Sequence, residues 1–271
     1  MTLTVLHEMY VRTVKDKLPG LAILAVILFL YIFWCATFFP SMKQTADGRD
    51  KMLSDPAMKA FVGDLANTKT YGGFMILWAF AYMGIALGAY IAFLTASFLA
   101  GEIEGKSSEL MLSLPVSRTH VLLSRFAALA PIIAVIAITM LLAATLGADY
   151  VGENIDVARF GVGMLFTGVF LLAVGGGSLL LSALTSNGRS AALASVGVLF
   201  AMYMVENIGS AVSSIDWARK LSLFHYASIT GIITDPAVPI DWANLGILLA
   251  AAAVFLGLAI YAYQRRDIHV T

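Results

Sequence analysis

The chain has 271 residues, of which 60% are hydrophobic and only 13% charged, and its mean hydropathy is +0.86. That composition excludes an ordinary soluble domain, in which charged residues make up about a quarter of the total. Seventeen basic residues balance seventeen acidic ones and no run of five like charges occurs, so nothing points to a nucleic-acid partner.

The apolar residues gather into stretches of roughly 20 uncharged positions, long enough as helices to cross a hydrocarbon core of about 30 Å. Six spans are expected, near 20–39, 71–100, 119–146, 160–185, 190–205 and 244–263, which makes the chain an all-α membrane protein with one transmembrane domain over 1–271. Ahead of the first span, Leu6, Tyr10, Val14 and Leu18 repeat at helical spacing while Glu8, Arg12, Lys15 and Asp16 take the other face. This predicts an amphipathic helix over 1–19 lying in the membrane interface. About 19 polar-interrupted residues ahead of so long an apolar run do not suit a secretory signal, so the first span is expected to be retained. Cys35, the single cysteine, has no internal disulfide partner and reads as a small core residue.

In the connection over 40–70, Asp55-Pro56 suits a short helix start, with Asp as N-cap and Pro at the first position. In span two Gly84, Gly88, Ala92, Ala96 and Ala100 recur every four residues. Such a stripe permits close packing, either within the chain or between two copies of it.

The loop over 101–118 contains Gly105-Lys106-Ser107, which resembles the end of a phosphate-binding loop. That loop requires G-x-x-x-x-G-K-[ST] after a buried strand; here Ala100 occupies the place of the first glycine and an apolar helix precedes it. No nucleotide site is expected in this chain. The pattern suits a short helix instead, with Ser107 as N-cap, Glu109 in the positive first turn, and Leu110, Met111 and Leu114 on one face. Pro115 ends it, and Ser117 caps the next helix, with Val116 and Val121 placed as a hydrophobic staple. An exposed Leu-Met-Leu face in a loop calls for a partner protein, the chain's own helices or the membrane interface.

Gly175-Gly176-Gly177-Ser178 in span four suits either a hinge or a close-packed spot. Residues 207–243 carry apolar clusters at 215–217 and 221–226 but too many polar residues to cross, so they read as short re-entrant or interfacial helices, or as a surface loop. Counting Lys and Arg with both termini inside gives nine against eight. Five of the eight lie within 40–70 beside Asp47, Asp50, Asp55 and Asp64, and without that segment the count is nine against three. Cytoplasmic termini are expected. The four histidines lie outside the span centres with no H-E-x-x-H pair, which argues against an intramembrane enzyme, and His225 reads as a hydrogen-bonded interfacial residue.

Residues 104–118, Glu-Gly-Lys-Ser-Ser-Glu-Leu-Met-Leu-Ser-Leu-Pro-Val-Ser-Arg, resemble the E-x-G-T-x-E-L-L-L-S-x-P-V-S-R signature of ABC-2 type permeases, the membrane subunits of one class of ABC exporter. The likeness extends to the amphipathic start, the long connection after span one, Leu-Ser-Leu-Phe-His-Tyr at 221–226 and Arg265-Arg266-Asp267-Ile268. The sequence departs at Lys106-Ser107-Ser108, where the pattern has Gly-Thr, and at Arg125, where it has Lys.

The resemblance implies that the loop holds a coupling helix, with Glu104, Glu109, Leu110, Met111, Leu114, Pro115 and Arg118 contacting a separate ATPase subunit. It also implies a permease dimer in the cell (inner) membrane, a homodimer or a pair with a different permease, with two ATPase subunits per complex and ATP with Mg bound in those subunits, none in this chain. Spans one, two and five commonly line the dimer axis in that family, which makes Phe29, Phe33, Asn187, Ser195 and Tyr203 pathway candidates. The rival reading is an ion-coupled secondary transporter. It expects ionisable residues at the bilayer midplane, whereas Arg125, Arg189 and Glu206 sit near span ends.

Overall fold

A computed structural model describes residues 2–43, 69–104, 117–185, 187–235 and 237–265. Helix α1 covers Thr2–Thr37 and a short α2 covers Phe39–Lys43. Helix α3 (Tyr71–Met75) runs into a π-helical turn, Ile76–Phe80, and after Ala81 and Tyr82 the chain resumes as α4, Met83–Glu104. Then come α5 (Arg118–Ala127), α6 (Leu129–Val151), α7 (Val157–Leu184) and α8 (Gly188–Ala211). A 3₁₀ turn at Ser213–Ile215 and the short helices α9 (Asp216–Arg219), α10 (Leu223–Tyr226) and α11 (Thr230–Thr234) lead to α12, Trp242–Arg265.

Among the described residues five helical stretches are long and apolar enough to cross a bilayer: Tyr10–Thr37, Thr119–Val151, Val157–Leu184, Gly188–Ser210 and Trp242–Arg265. A sixth crossing is a bent pair, Tyr71–Phe80 with Met83–Ala96, whose halves meet at 41°. The protein is therefore an all-helical, multi-pass membrane protein. Its near end holds the start of α1, the α4–α5 and α7–α8 connections and the end of α12. Its far end holds the end of α1, the start of α3, the α6–α7 connection and the short helices between α8 and α12.

The segment over 1–19 is not a separate interfacial helix, because α1 runs unbroken through Pro19 into the first span. Proline removes only one N–H from the helical ladder, and α1 continues on both sides of it. At 1.5 Å per residue the 36 residues of α1 reach about 54 Å, well beyond a core of about 30 Å. The Asp55-Pro56 helix start lies outside the described residues.

Span four is the hub: α7 packs against α12, α4, α6 and α8, while α1 lies on α6 and α8 on α4. Close approach at the hub requires glycine. A Cβ on Gly175 would stand 2.6 Å from Leu129 Cδ1, and one on Gly176 would stand 3.1 Å from the Ala252 carbonyl oxygen. Helix α7 is continuous there, so the triple glycine is a close-packed spot. The small-residue stripe of span two is likewise consumed inside the chain. Gly88 faces Leu199 of α8, Ala96 packs with Ala191 and Ala192, and Ser182 Oγ donates to the Ala96 carbonyl at 3.0 Å.

The π turn, in which the Ala81 N–H donates to the Ile76 carbonyl, lies at the bend of span two and contains the Trp78 carbonyl. Tyr31 of α1 donates its hydroxyl to that oxygen at 2.7 Å, and the buried Cys35 thiol lies 3.9 Å from it. All four tryptophans, Trp34, Trp78, Trp217 and Trp242, are exposed toward the far end, as expected of rings at a membrane–water boundary.

After α8 the chain folds back into the bundle. Ser222 Oγ donates to the carbonyl of Met202 at 2.9 Å, nine residues before the end of α8 and so about 14 Å below it. Arg159 of α7 holds the other limb, donating to the carbonyls of Ile232, Asp235 and Val238 at 3.2, 2.7 and 3.2 Å. Residues 213–234 thus pack back against α7 and α8 in two limbs.

Candidate functional site

At the near end, Glu104 is the last residue of α4 and Arg118 the first of α5. Glu109, Leu110, Met111, Leu114 and Pro115 lie outside the described residues, as does the rest of the motif up to Val116. The described part begins with the cap: Ser117 has extended backbone, and its hydroxyl accepts from the His120 N–H and lies 2.7 Å from His120 Nδ1. The helix after the loop thus starts at Ser117, as its residue type predicts.

The base of the loop is tied together from three sides. Arg125 of α5 donates Nη1 to Thr13 Oγ1 of α1 and lies 5.6 Å from the centre of the Phe98 ring of α4. Lys17 of α1 approaches that ring at 6.0 Å. Gln264 near the end of α12 donates to Thr119 Oγ1 at 2.8 Å. The root of the loop is therefore held by hydrogen bonds and cation–π contacts to α1, α4 and α12, which fixes how α5 leaves the membrane surface.

The pathway candidates do not converge. Phe29 and Phe33 stack on each other at 6.0 Å on α1, and Phe33 also meets Tyr150 of α6 at 5.6 Å. Asn187 caps α8 at the near end, accepting from the Ser190 N–H at 3.0 Å. Ser195 is buried, donates to the Ala191 carbonyl at 2.8 Å, and lines a cavity of about 200 Å³ between α7 and α8 with Leu199, Leu223 and Phe255. Tyr203 lies two turns further along, beside Phe224 at 5.4 Å, and lines a different cavity.

That second cavity holds the densest polar chemistry among the described residues. Arg219 of α9 donates Nε and Nη2 to Glu206 Oε1 at 3.1 and 2.7 Å, and Nη1 to Asp216 Oδ1 at 3.0 Å. Hydrogen bonding to Glu206 leads in raising the guanidinium pKa above its ordinary value. Glu206 Oε2 is closed off from solvent and faces His225 Nδ1 at 3.5 Å, and neither atom makes a hydrogen bond. Asn207, also buried, donates to the Tyr203 carbonyl at 2.9 Å. The cavity measures about 220 Å³ and is walled by the π turn, α4, α7, α8 and the folded-back limbs between α8 and α12.

A family model described as ABC-2 family transporter protein matches residues 7–268. The chain belongs to that family. ABC-2 permeases are membrane subunits that typically work with ATPase subunits and carry no ATPase site of their own. Comparison with curated proteins gives no match.

For this ABC-2 permease, sequence reasoning found the loop between spans two and three and missed the polar cluster of the far end. Glu206 reads as a charge near a span end, and α8 in fact continues past it to Ala211. His225 was expected to be hydrogen-bonded, and its Nδ1 is not. The available signal was an acid near the end of one apolar run, followed by a single Arg and a single His within 20 residues in a segment too polar to cross.

Proposed function

We propose that this chain is the permease subunit of an ATP-driven exporter, coupling hydrolysis in a separate ATPase to movement of a cargo or of the bundle itself. In this reading two copies form a homodimer and bind two ATPase subunits, with ATP and Mg held in those subunits. The near end is cytoplasmic, in keeping with nine Lys and Arg against three once the segment over 40–70 is set aside. Glu104, Glu109, Leu110, Met111, Leu114, Pro115 and Arg118 form the surface that the ATPase grips.

The observation that carries the proposal is the position of the signature. It joins the ends of α4 and α5, and Arg125, Thr13 and Phe98 lock the root of that loop to the bundle. A helix rooted in this way passes a push on to the spans, whereas a free tether would absorb it.

The test is the double variant Leu110→Asp, Leu114→Asp, expressed with the ATPase that co-purifies with the unaltered chain. Membrane insertion is expected to persist and co-purification of the ATPase to be lost. Normal co-purification of the double variant would overturn the assignment. The Glu206 cluster is the one observation that favours an ion-coupled secondary transporter, since ionisable groups inside a span mark such sites. Glu206 is already paired with Arg219, which leaves it poorly placed to bind and release an ion. Transport driven by an ion gradient without ATP would favour that second reading.

A further inference from the structure

A π-helical turn, a fold-back and an ion pair meet at one place in the far half of the bundle. Span two breaks there, with the turn Ile76–Phe80 followed by Ala81 and Tyr82. Helix α8 brings Tyr203, Glu206 and Asn207 to the same level, and the folded-back limb adds Arg219 and Phe224. Glu206 lies five residues before the end of α8, about 7.5 Å below it, so the ion pair sits inside the span and not at its tip. Between these elements lies the cavity of about 220 Å³.

We propose that this cavity binds an uncharged amphipathic molecule, with a compact aromatic or branched-alkyl body and a hydroxyl or carbonyl head that meets Arg219. The body is argued from the walls. Phe80, Phe170, Phe224 and Met140 present rings and a thioether to the cavity, and Phe170 and Phe224 are already packed together at 4.8 Å. The volume is below the range of about 300–1,000 Å³ usual for drug-sized ligands, so only a compact body fits.

The head is argued from the charges. The cavity is lined by one acid and one base, and they neutralise each other through two hydrogen bonds to Glu206 Oε1. The second carboxylate oxygen is sealed behind His225. An ionic ligand would have to break that pair or bring an uncompensated charge to this depth, and both are costly. Three of the five N–H groups of Arg219 are engaged, which leaves two for an oxygen acceptor on a ligand.

A mere packing defect fits poorly. Voids lower stability, and a broken helix along the wall adds a second cost that packing alone does not explain. That the ligand is a cargo rests on the exporter reading above; that the cavity binds it does not.

The experiment uses the permease co-purified with its ATPase, in phosphatidylcholine nanodiscs without nucleotide, and reads fluorine NMR of three probes that share one body: para-fluorophenethyl alcohol, para-fluorophenethylamine and para-fluorophenylacetate. Saturable binding of the alcohol is expected, with the amine and the acid weaker by about tenfold or more. Ala81→Phe, which fills the cavity, is expected to abolish saturable binding, while Ala253→Phe on the exposed face of α12 leaves it intact. If Ala81→Phe does not assemble, Thr230→Phe fills the same cavity from the folded-back limb. Binding that never saturates, that survives both filling variants, or that favours either ion over the alcohol overturns the proposal. A complex that couples ATP normally yet shows no saturable binding removes the ligand site alone. A chain that binds the alcohol but associates with no ATPase supports the site and removes the exporter reading.

Discussion

Replacing Arg125 by Ala should loosen the root of the loop between spans two and three without unfolding the bundle. The substitution removes one charge-assisted hydrogen bond to Thr13, worth about 1.5–3 kcal/mol, and a cation–π contact with Phe98, worth about 0.5–2 kcal/mol. Lys17 stands 6.0 Å from the same ring and takes over part of the second contact, so a net loss near the lower half of that total is expected. For a chain of this size that corresponds to a fall in Tm of roughly 5–10 °C. Differential scanning fluorimetry on the detergent-purified protein reads it directly. Arg125→Lys retains the charge over the ring but loses the guanidinium reach to Thr13, and should fall between the two. A double-mutant cycle with Phe98→Leu should return a coupling of about 0.5–2 kcal/mol. In the assembled complex Arg125→Ala should leave ATPase association unchanged while lowering transport per ATP hydrolysed. Unaltered melting together with unaltered coupling would refute the clamp.

Further outcomes follow from the packing and from the charge distribution. Gly88→Leu drives a side chain into Leu199, which already stands 2.7 Å from an added Cβ, and should cost about 1–3 kcal/mol by forcing α4 and α8 apart, measured as a lower Tm. Arg159→Ala frees the carbonyls of Ile232, Asp235 and Val238, and should raise hydrogen exchange over 230–238 selectively, leaving α7 itself protected. In a Cys35→Ser background, a cysteine at Glu153 should react with an impermeant maleimide from outside the cell and one at Arg12 should not. The reverse labelling would invert the orientation drawn from the Lys and Arg count.

What the sequence made legible, and what it hid, separates along physical lines. Hydropathy located the candidate crossings among the described residues, because apolar runs of this length have few other uses. The cap at Ser117 was legible because it depends on one residue and its immediate neighbours. The π turn at Ile76–Phe80 was not, since Ile-Leu-Trp-Ala-Phe has no proline, glycine or polar residue to mark a change of helical pitch. Span five was expected to end at 205 because Glu206 follows. The helix instead runs to Ala211, since Arg219 folds back 13 residues later to neutralise that acid. The amphipathic segment over 1–19 was expected as a helix of its own, whereas α1 continues from it into the first span. The pairings at the far end are tertiary, and no local pattern in the chain announces them.

These pairings bear on how the two ends of the bundle communicate. Helix α4 is one unbroken element of 22 residues, about 33 Å long, running from the cavity at the far end to the loop at the near end. Its near tip, Glu104, is the first residue of the signature, and its far tip, Met83, adjoins the bend of 41° at the π turn. A regular helix transmits displacement along its axis with little loss, whereas a break absorbs rotation. Movement imposed on the loop therefore reaches the cavity wall as a change at Ala81 and Tyr82. There the hydrogen-bond ladder already departs from the α pattern, the Ala81 N–H donating to the Ile76 carbonyl, and the Trp78 carbonyl accepts from Tyr31 of α1. The α4 stripe that packs on α8 through Gly88 and Ala96 gives that movement a smooth track. Force entering at the near end would thus reach both the cavity wall and, through the packing of α4 on α7, the hub itself.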